Sequence, residues 1–305
     1  MINNLVLYGA GKRGRGMYEF LKKCGIKIYG YCDRNADKIK EIDGIKVYRP
    51  EELADVDVIF CLTILNEQDR NQIRQELKGK EVIDFSDLPC LLGMDRVEFN
   101  RNFCADYHVM GMNDYYESGE NLLDIFWSED SIIYEKFQKL DITRVVELGC
   151  GRGRHVTQYY NRADEIMLVD ILQNNIDFCK ARFANLDNIK FYKNNGYNLL
   201  ELKDNYYTAL YSYDAMVHFE MMDIYSYLKE IHRILIKGGR ALIHHSNYDK
   251  NYKADFSNSP HSRSFMSKKL FAYLAWRSGF EIEEQTVFDW YEVKDLDCVT
   301  LLVKR

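Results

Sequence analysis

Long apolar runs, paired cysteines and blocks of like charge are missing from this 305-residue sequence. No stretch of 18 consecutive apolar residues occurs, and the first residues lack the basic segment of a signal peptide, so we expect no membrane span. None of the eight cysteines stands in a C-x-x-C pair, which disfavours a zinc ribbon or a secreted disulfide scaffold. We therefore expect a soluble cytoplasmic protein with reduced thiols.

A strong excess of charge is also missing. The net charge is −6 without any run of five or six like charges, which gives no support for nucleic-acid or membrane partners and favours a small-molecule ligand. The histidines do not show the H-x-x-x-H spacing of a metal site, so we expect no metal. A hydrophobic content of 47% is enough for a sizeable core, and the length favours two domains. The sequence leaves the oligomeric state open, a homo-oligomer included.

Alternating β-branched runs and helical patterns divide the chain into three parts. Residues 1–88 have the alternation of βαβ units and predict a small Rossmann-like domain with a parallel sheet. Residues 89–140 lose this alternation and are rich in aromatics, which suggests a connector and a helical lid. The alternation of strands and helices resumes in residues 141–305. The last two strands of this part are too close for a helix between them and should form an antiparallel hairpin. The predicted fold class is α/β with two Rossmann-like domains.

A glycine-rich turn, "VELGCGRG", follows the first strand of the C-terminal part. Glycines let the backbone turn sharply and let a ligand approach the main chain. We expect the chain to continue into a helix over residues 154–160, whose positive end lies beside the turn. The next strand ends in a carboxylate that can accept hydrogen bonds from ribose hydroxyls, and amides after the third strand can read an adenine edge. The candidate residues are Glu147, Gly149, Gly151, Gly153, Asp170, Asn194, Asn195 and Gly196.

With these landmarks, residues 142–305 resemble the class I S-adenosylmethionine-dependent methyltransferases. The match includes "LKEIHRILIKGGRALIHHS", similar to the family's helix, glycine turn and fifth strand, although Lys237 stands where a proline is usual. The resemblance implies a mostly parallel seven-stranded sheet, methyl transfer and S-adenosylmethionine as cofactor. It also implies that Ile171, after the acidic residue, lies beside the cofactor.

A second glycine pattern, "YGAGKRG", lies near the N-terminus. It fits G-x-G-x-x-G through Gly9, Gly11 and Gly14, and Asp33 ends the next strand. No second half of dehydrogenase size follows, which disfavours hydride transfer. The basic residues Lys12, Arg13 and Arg15 could neutralise the phosphates of a nucleotide or nucleotide sugar. The region resembles small Rossmann-like domains attached to bacterial polysaccharide- and sugar-modifying enzymes. The alternative is a turn kept for packing or dimerisation.

Polar residues follow the fourth and fifth strands of the C-terminal part, where the acceptor should lie. They are Asp214 and His218 after the fourth strand, and His244 and His245 at the end of the fifth. Sugar O-methyltransferases of the resembled class carry a histidine general base at the position of His218. Because adjacent strand residues face opposite ways, we expect His245 in the site and His244 in the packing.

The resulting hypothesis is O-methylation of a sugar hydroxyl, on a nucleotide sugar or a surface-polysaccharide intermediate, with Asp214, His218 and His245 as catalytic residues. Two alternatives stay open: N-methylation of an amino sugar or other small amine, and a regulatory protein that binds the cofactor without turnover.

Overall fold

The computed structural model describes residues 3–110 and 115–305. The chain divides into two compact units, residues 1–113 with 257–260, and residues 114–256 with 261–305. The segment 89–140 that we expected as one connector is therefore divided: its first helices cluster with the first unit and its remaining helices with the second. Within the described ranges, no helix is long and apolar enough to cross a bilayer.

The first unit is a sheet of six short strands with helices around it. Its strands are β1 (Leu5–Tyr8), β2 (Gly30–Cys32), β3 (Glu41–Ile42), β4 (Ile45–Tyr48), β5 (Ile59–Leu62) and β6 (Glu81–Asp84). Its helices are α1 (Lys12–Lys23), α2 (Glu67–Glu76), α3 (Leu88–Leu92) and α4 (Arg96–Met110), with 3₁₀ turns at Pro50–Leu53 and Phe85–Asp87.

The strand order β3-β4-β2-β1-β5-β6 places the predicted N-terminal glycine turn at the centre of this sheet. Every pair is parallel except β3–β4, a short antiparallel hairpin that the sequence pattern did not predict. Because β1 and β5 are apolar and fully buried, the sheet is covered on both faces. The connection from β4 to β5 contains only the 3₁₀ turn Pro50–Leu53, where a doubly wound fold usually has a full helix.

The second unit begins with short helices and continues as a larger sheet. Its strands are β7 (Arg144–Leu148), β8 (Glu165–Asp170), β9 (Ile189–Lys193), β10 (Tyr207–Ser212), β11 (Leu235–Ser246), β12 (Phe280–Trp290) and β13 (Val293–Lys304). Its helices are α5 (Tyr115–Glu120), α6 (Leu123–Phe126), α7 (Ile132–Phe137), α8 (Gln173–Arg182), α9 (Met221–Ile234) and α10 (Lys268–Arg277). Short 3₁₀ turns occur at His155–Gln158, Tyr160–Arg162 and Met216–His218.

The order of this sheet is β12-β13-β11-β10-β7-β8-β9. The strands β7 to β11 are parallel, while β13 runs antiparallel to both of its neighbours, which confirms the predicted fold class and the C-terminal hairpin. The carboxyl ends of β7, β8, β10 and β11 therefore meet at one edge of the sheet, where parallel α/β folds place their ligands.

The helix predicted at residues 154–160 is not formed. The segment makes two 3₁₀ turns instead, and Tyr159 between them has φ −142°, which interrupts helical geometry. Thr157 turns its hydroxyl back onto the carbonyl of Arg154 at 2.6 Å, a local bond that competes with helix formation. A helix macrodipole therefore does not contribute to the glycine turn of this unit.

Candidate active site

The glycine turn after β7 is fixed to the end of β8 by Asp170. One carboxylate oxygen accepts the N–H of Gly151 at 2.9 Å, and the other accepts the N–H of Leu172 at 2.9 Å and the side-chain amide of Asn175 at 3.1 Å. Burial raises the pKa of Asp170, and these hydrogen bonds oppose the rise. The carboxylate thus joins the turn to the end of β8, and its contact with ribose hydroxyls stays a prediction.

The backbone of Gly151 has φ 53°, in the left-handed region that favours glycine. A Cβ here would lie 3.1 Å from Cε1 of Tyr116, so the side chain that approaches this backbone comes from α5. Gly149 and Gly153 approach other neighbours closely, Ala215 after β10 and Phe183 after α8. The three predicted glycines therefore form one tight loop between β7, β8 and β10.

Glu147 lies inside the sheet, 2% exposed, and accepts a hydrogen bond from the Tyr159 hydroxyl at 2.7 Å. Burial raises its pKa to about 7, although the Tyr159 hydrogen bond and the charge of Arg154 oppose that rise. This side chain is not among those that line the cavity described below. Its position as a cofactor ligand stays a prediction.

The amides predicted after β9 are engaged in their own turn. The side-chain oxygen of Asn195 accepts the N–H groups of Tyr197 and Asn198 at 3.2 and 3.1 Å, and that of Asn194 accepts the N–H of Gly196 at 3.3 Å. Asn194 also donates to the Tyr227 hydroxyl at 2.7 Å. Backbone groups of this turn, and Ile171 at the end of β8, stay predicted contacts of the cofactor.

A cavity of about 60 Å³ opens at the carboxyl ends of β7 and β10. It is lined by α5, the glycine turn and the residues after β10: Tyr115, Tyr116, Glu120, Gly149, Cys150, Gly151, Arg152, Arg154, His155, Tyr213 and Asp214. Ligand pockets usually measure roughly 300–1,000 Å³, so the space is too small for a nucleoside-containing cofactor. α5 has to shift for such a ligand to reach Asp170.

α5 is held over the glycine turn by several contacts. The Tyr116 hydroxyl accepts a hydrogen bond from Asn175 at 2.9 Å, and the Arg152 guanidinium lies 4.7 Å from the centre of its ring. Glu120 forms a two-oxygen ion pair with Arg182 of α8, with the shorter distance 2.6 Å. Since Asn175 also binds Asp170, Tyr116 occupies the space beside the predicted ribose-binding carboxylate.

Asp214 lies in the cavity wall immediately after β10. Its backbone has φ 54°, which is uncommon for a non-glycine residue, and its Oδ2 pairs with the Arg154 guanidinium at 2.9 Å. The backbone N–H of Asp214 donates to Nδ1 of His244 at 3.1 Å. The carboxylate is thus held at a defined position, and within residues 3–110 and 115–305 its Oδ1 accepts no further hydrogen bond.

His244 connects Asp214 to a buried ion pair. Its Nε2 lies 3.0 Å from Oδ2 of Asp297, and Arg263 binds both oxygens of Asp297 at 2.9 and 2.6 Å. Burial alone would raise the pKa of Asp297, but the neighbouring His244 and Arg263 hold this pKa well below its usual range. Because Asp297 accepts from Nε2, Nδ1 is left as the acceptor for the Asp214 N–H.

The choice between the two adjacent histidines was wrong. His245 is fully buried on the opposite face of β11, with its ring stacked on Phe271 of α10 at 3.7 Å and its Nε2 bonded to Thr300 at 2.9 Å. Burial lowers its pKa to about 3. His244 instead faces the site side, stacked on Tyr213 at 4.7 Å. The alternation was predicted correctly, but the face that carries the site was not.

His218 is not brought into the cavity wall. It ends the 3₁₀ turn after β10, its Nδ1 lies 2.8 Å from the carbonyl of Ser262, and its ring packs edge-on against Phe256. Its role as a general base stays a prediction. Within the part of the chain that the structure describes, no three His, Cys, Asp or Glu residues are grouped to hold a metal ion.

Arg154 and His155 are site residues that the sequence argument missed. Arg154 directly follows the last glycine of the turn, so its position in the motif was the available signal. His155 receives a hydrogen bond from the Trp127 indole at 3.0 Å, and burial together with Arg154 holds its pKa well below its ordinary value. It is therefore a neutral wall of the cavity.

The N-terminal glycine turn is more tightly packed than the second one. A Cβ at Gly14 would lie 1.9 Å from the carbonyl oxygen of Gly9, whereas Gly11 faces open space. Asp33 accepts the N–H of Ala10 at 2.9 Å. Two of the three basic residues of the turn donate to carbonyls of this unit: Arg15 to Ala10 and Arg13 to Ser257.

Two family models match the chain in separate regions. Residues 146–243 match Methyltransf_11, described as a methyltransferase domain, and residues 1–87 match the N-terminal domain of the C2185-like family. No curated protein sequence is significantly similar to the chain.

Solved structures resemble the chain at low identity. An S-adenosylmethionine-dependent methyltransferase from Mesorhizobium loti is 15% identical with a TM-score of 0.47, covering 56% of this chain and 97% of its own. A TehB-like methyltransferase from Corynebacterium glutamicum is 18% identical with a TM-score of 0.45, covering 63% and 97%. The matched residues 146–243 lie within the second unit, which therefore contains a methyltransferase domain.

Proposed function

We propose that this methyltransferase transfers its methyl group to a hydroxyl of a sugar, with Asp214 as the residue that receives the acceptor. The observation that carries the proposal is the Asp214 carboxylate in the cavity wall, with one oxygen fixed by Arg154 at 2.9 Å. The second oxygen can accept the hydrogen bond of an incoming hydroxyl. A carboxylate at this position can also take the proton as the C–O bond forms.

The residues around Asp214 support a polar, uncharged acceptor. Arg154 compensates the carboxylate, so the pair offers a hydroxyl both an acceptor and a neighbouring donor. The tyrosines 115 and 213 line the same wall and supply ring faces and hydroxyls, a combination that suits a sugar ring. A nucleotide sugar or a surface-polysaccharide intermediate is the acceptor class that we favour.

The mechanism assigns one task to each group. S-adenosylmethionine, when bound, supplies an electrophilic methyl group on a sulfonium sulfur. Asp170 orients the glycine turn and offers its carboxylate to ribose hydroxyls, while Asp214 orients the acceptor hydroxyl and receives its proton. Arg154 holds Asp214 in place, and the buried His155 and Tyr213 exclude water from the wall.

The test uses the full-length protein with a panel of nucleotide sugars, and mass spectrometry to detect a gain of one methyl group. Asp214→Asn should lower kcat by roughly 10²- to 10⁴-fold, the usual range for a general base, with unchanged cofactor affinity. Asp177→Asn, an exposed aspartate on α8, is the matched control and should keep wild-type turnover. Wild-type turnover in Asp214→Asn together with a large loss in His218→Ala would move the base to His218.

An amine acceptor is the second candidate. A carboxylate beside tyrosine rings also attracts a substrate cation, and a neutral amine needs little base catalysis. With an amino sugar as acceptor, Asp214→Asn would raise KM with little change of kcat. That split between KM and kcat separates the two acceptor classes.

A nucleotide at the N-terminal turn, over Gly9, Gly11, Gly14 and Asp33, stays a prediction. Its support is the open space above Gly11, the one position of the pattern where a Cβ would meet no atom within 4 Å. A gain in thermal stability of the full-length protein with nucleotides, removed by Gly11→Asp, would support it.

A further inference from the structure

A groove of about 650 Å³ opens in the first unit, at a place where the fold omits a helix. The crossover from β4 to β5 has only the 3₁₀ turn Pro50–Leu53, and the groove lies between this turn and the end of α2. Leu53, Phe60 and Leu77 are buried at its base, whereas Pro50 and Ala54 supply its accessible apolar surface. The volume lies within the range of small-molecule sites, roughly 300–1,000 Å³.

The rim of this groove is charged and has a slight excess of cations. Two of its arginines already have carboxylate partners in the rim: Arg34 lies 2.8 Å from Glu76, and Arg49 lies 2.8 Å from Asp37. Lys78, an exposed rim residue, makes no side-chain hydrogen bond or ion pair in residues 3–110 and 115–305. The rim can therefore bind an anionic group without breaking an existing pair.

We propose that this groove binds a phosphorylated sugar, with a mononucleotide as the largest ligand of the class. Lys78 binds the phosphate, the Glu51 carboxylate accepts hydroxyl hydrogen bonds, and the apolar surface of Pro50 and Ala54 contacts the ring. The proposal concerns the first unit alone and does not depend on methyl transfer. The groove is a ligand position separate from the glycine turn, and the controls below distinguish the two.

Calorimetry on the full-length protein tests the groove with uridine 5′-monophosphate and ribose 5-phosphate as probes. Uridine and inorganic phosphate report the separate parts of the ligand and should bind more weakly than either probe. Lys78→Glu should weaken binding of both probes by roughly 10- to 100-fold, as expected for the loss of a charged hydrogen bond. Because Lys78 is exposed and makes no side-chain hydrogen bond or ion pair among the described residues, this variant should fold normally.

Two controls make the result decisive. Lys27→Glu changes the same charge on another exposed surface of this unit and should leave the affinity unchanged. Gly11→Asp places a carboxylate over the glycine turn and should also leave it unchanged. The groove is refuted if neither probe binds, if Lys27→Glu weakens binding as much as Lys78→Glu, or if only Gly11→Asp abolishes binding, which would return the ligand to the turn.

Discussion

Glu147 gives the most direct quantitative test of the structure. The side chain is buried in β7 and receives a hydrogen bond from Tyr159 at 2.7 Å, and burial raises its pKa from 4.5 to about 7. The folded protein therefore keeps this proton over a range where the unfolded chain has released it. Between about pH 4.5 and 7 the folded state binds more protons, so this group lowers the stability as the pH rises.

The size of this effect follows from the pKa difference. A change from 4.5 to about 7, at ~1.36 kcal/mol for each pKa unit, corresponds to about 3 kcal/mol lost by pH 7 and no further loss above it. Glu147→Gln keeps an oxygen acceptor for Tyr159 and has no ionisable group at this position. Its free energy of unfolding therefore does not include this loss between pH 4.5 and 7. The free-energy advantage of the variant over the wild type should grow by about 3 kcal/mol from pH 4.5 to 7 and then stay constant.

Urea denaturation followed by tryptophan fluorescence measures this difference. All three tryptophans, at positions 127, 276 and 290, lie in the second unit, so the signal reports the unit that contains Glu147. Glu129→Gln, an exposed glutamate of the same unit, should follow the wild-type pH profile. A difference between Glu147→Gln and wild type that is constant from pH 4.5 to 8, or that grows toward acid pH, would refute the burial argument.

Three further predictions concern the site. Asp170→Ala should weaken S-adenosylmethionine binding by roughly 1.5–3 kcal/mol, the range for hydrogen bonds to a charged group, and unchanged affinity in calorimetry would remove the assignment. Tyr116→Ala should raise the association rate of the cofactor roughly 3- to 10-fold, because the side chain that occupies the space beside Gly151 is lost. Stopped-flow measurements test this, and slower binding in the variant would show that the Tyr116 ring contacts the bound cofactor. His244→Gln should lower kcat roughly 3- to 10-fold, because the backbone N–H of Asp214 loses its acceptor. His244→Asn keeps an acceptor near the position of Nδ1 and should lower kcat less. Equal losses in the two variants would contradict this positioning role.

Much of the fold could be predicted because its elements follow local patterns. The runs that become β1, β5 and β10 are buried throughout, and the short spacing between the last two strands allowed only a hairpin. The small β3–β4 hairpin has two-residue pairing and no apolar run, so no periodicity could reveal it. The helix expected after the second glycine turn failed because its side chains bond the local backbone and Tyr159 leaves helical geometry.

The candidate site was less predictable, since it depends on which face of a strand meets which loop. The sequence located Asp170 and Asp214 at the ends of their strands, and both lie at the glycine turn or the cavity beside it. It did not identify which face of β11 points toward the cavity, because both faces are covered by apolar residues. The packing of α10 determines this: Phe271 stacks on His245, and His244 stacks on Tyr213 on the other face.

The different packing of the two glycine turns explains why a similar motif need not have the same role in one chain. In the first turn the atom nearest to a Cβ at Gly14 is the backbone oxygen of Gly9 at 1.9 Å, which has less freedom to move than a side chain. In the second turn the atom nearest to a Cβ at Gly151 belongs to the Tyr116 side chain, which can rotate away. Gly14 is therefore required for close packing of its turn, whereas the neighbour that limits Gly151 is a side chain. A glycine motif thus indicates close approach of the backbone, and the identity of the approaching group decides whether it serves binding or packing.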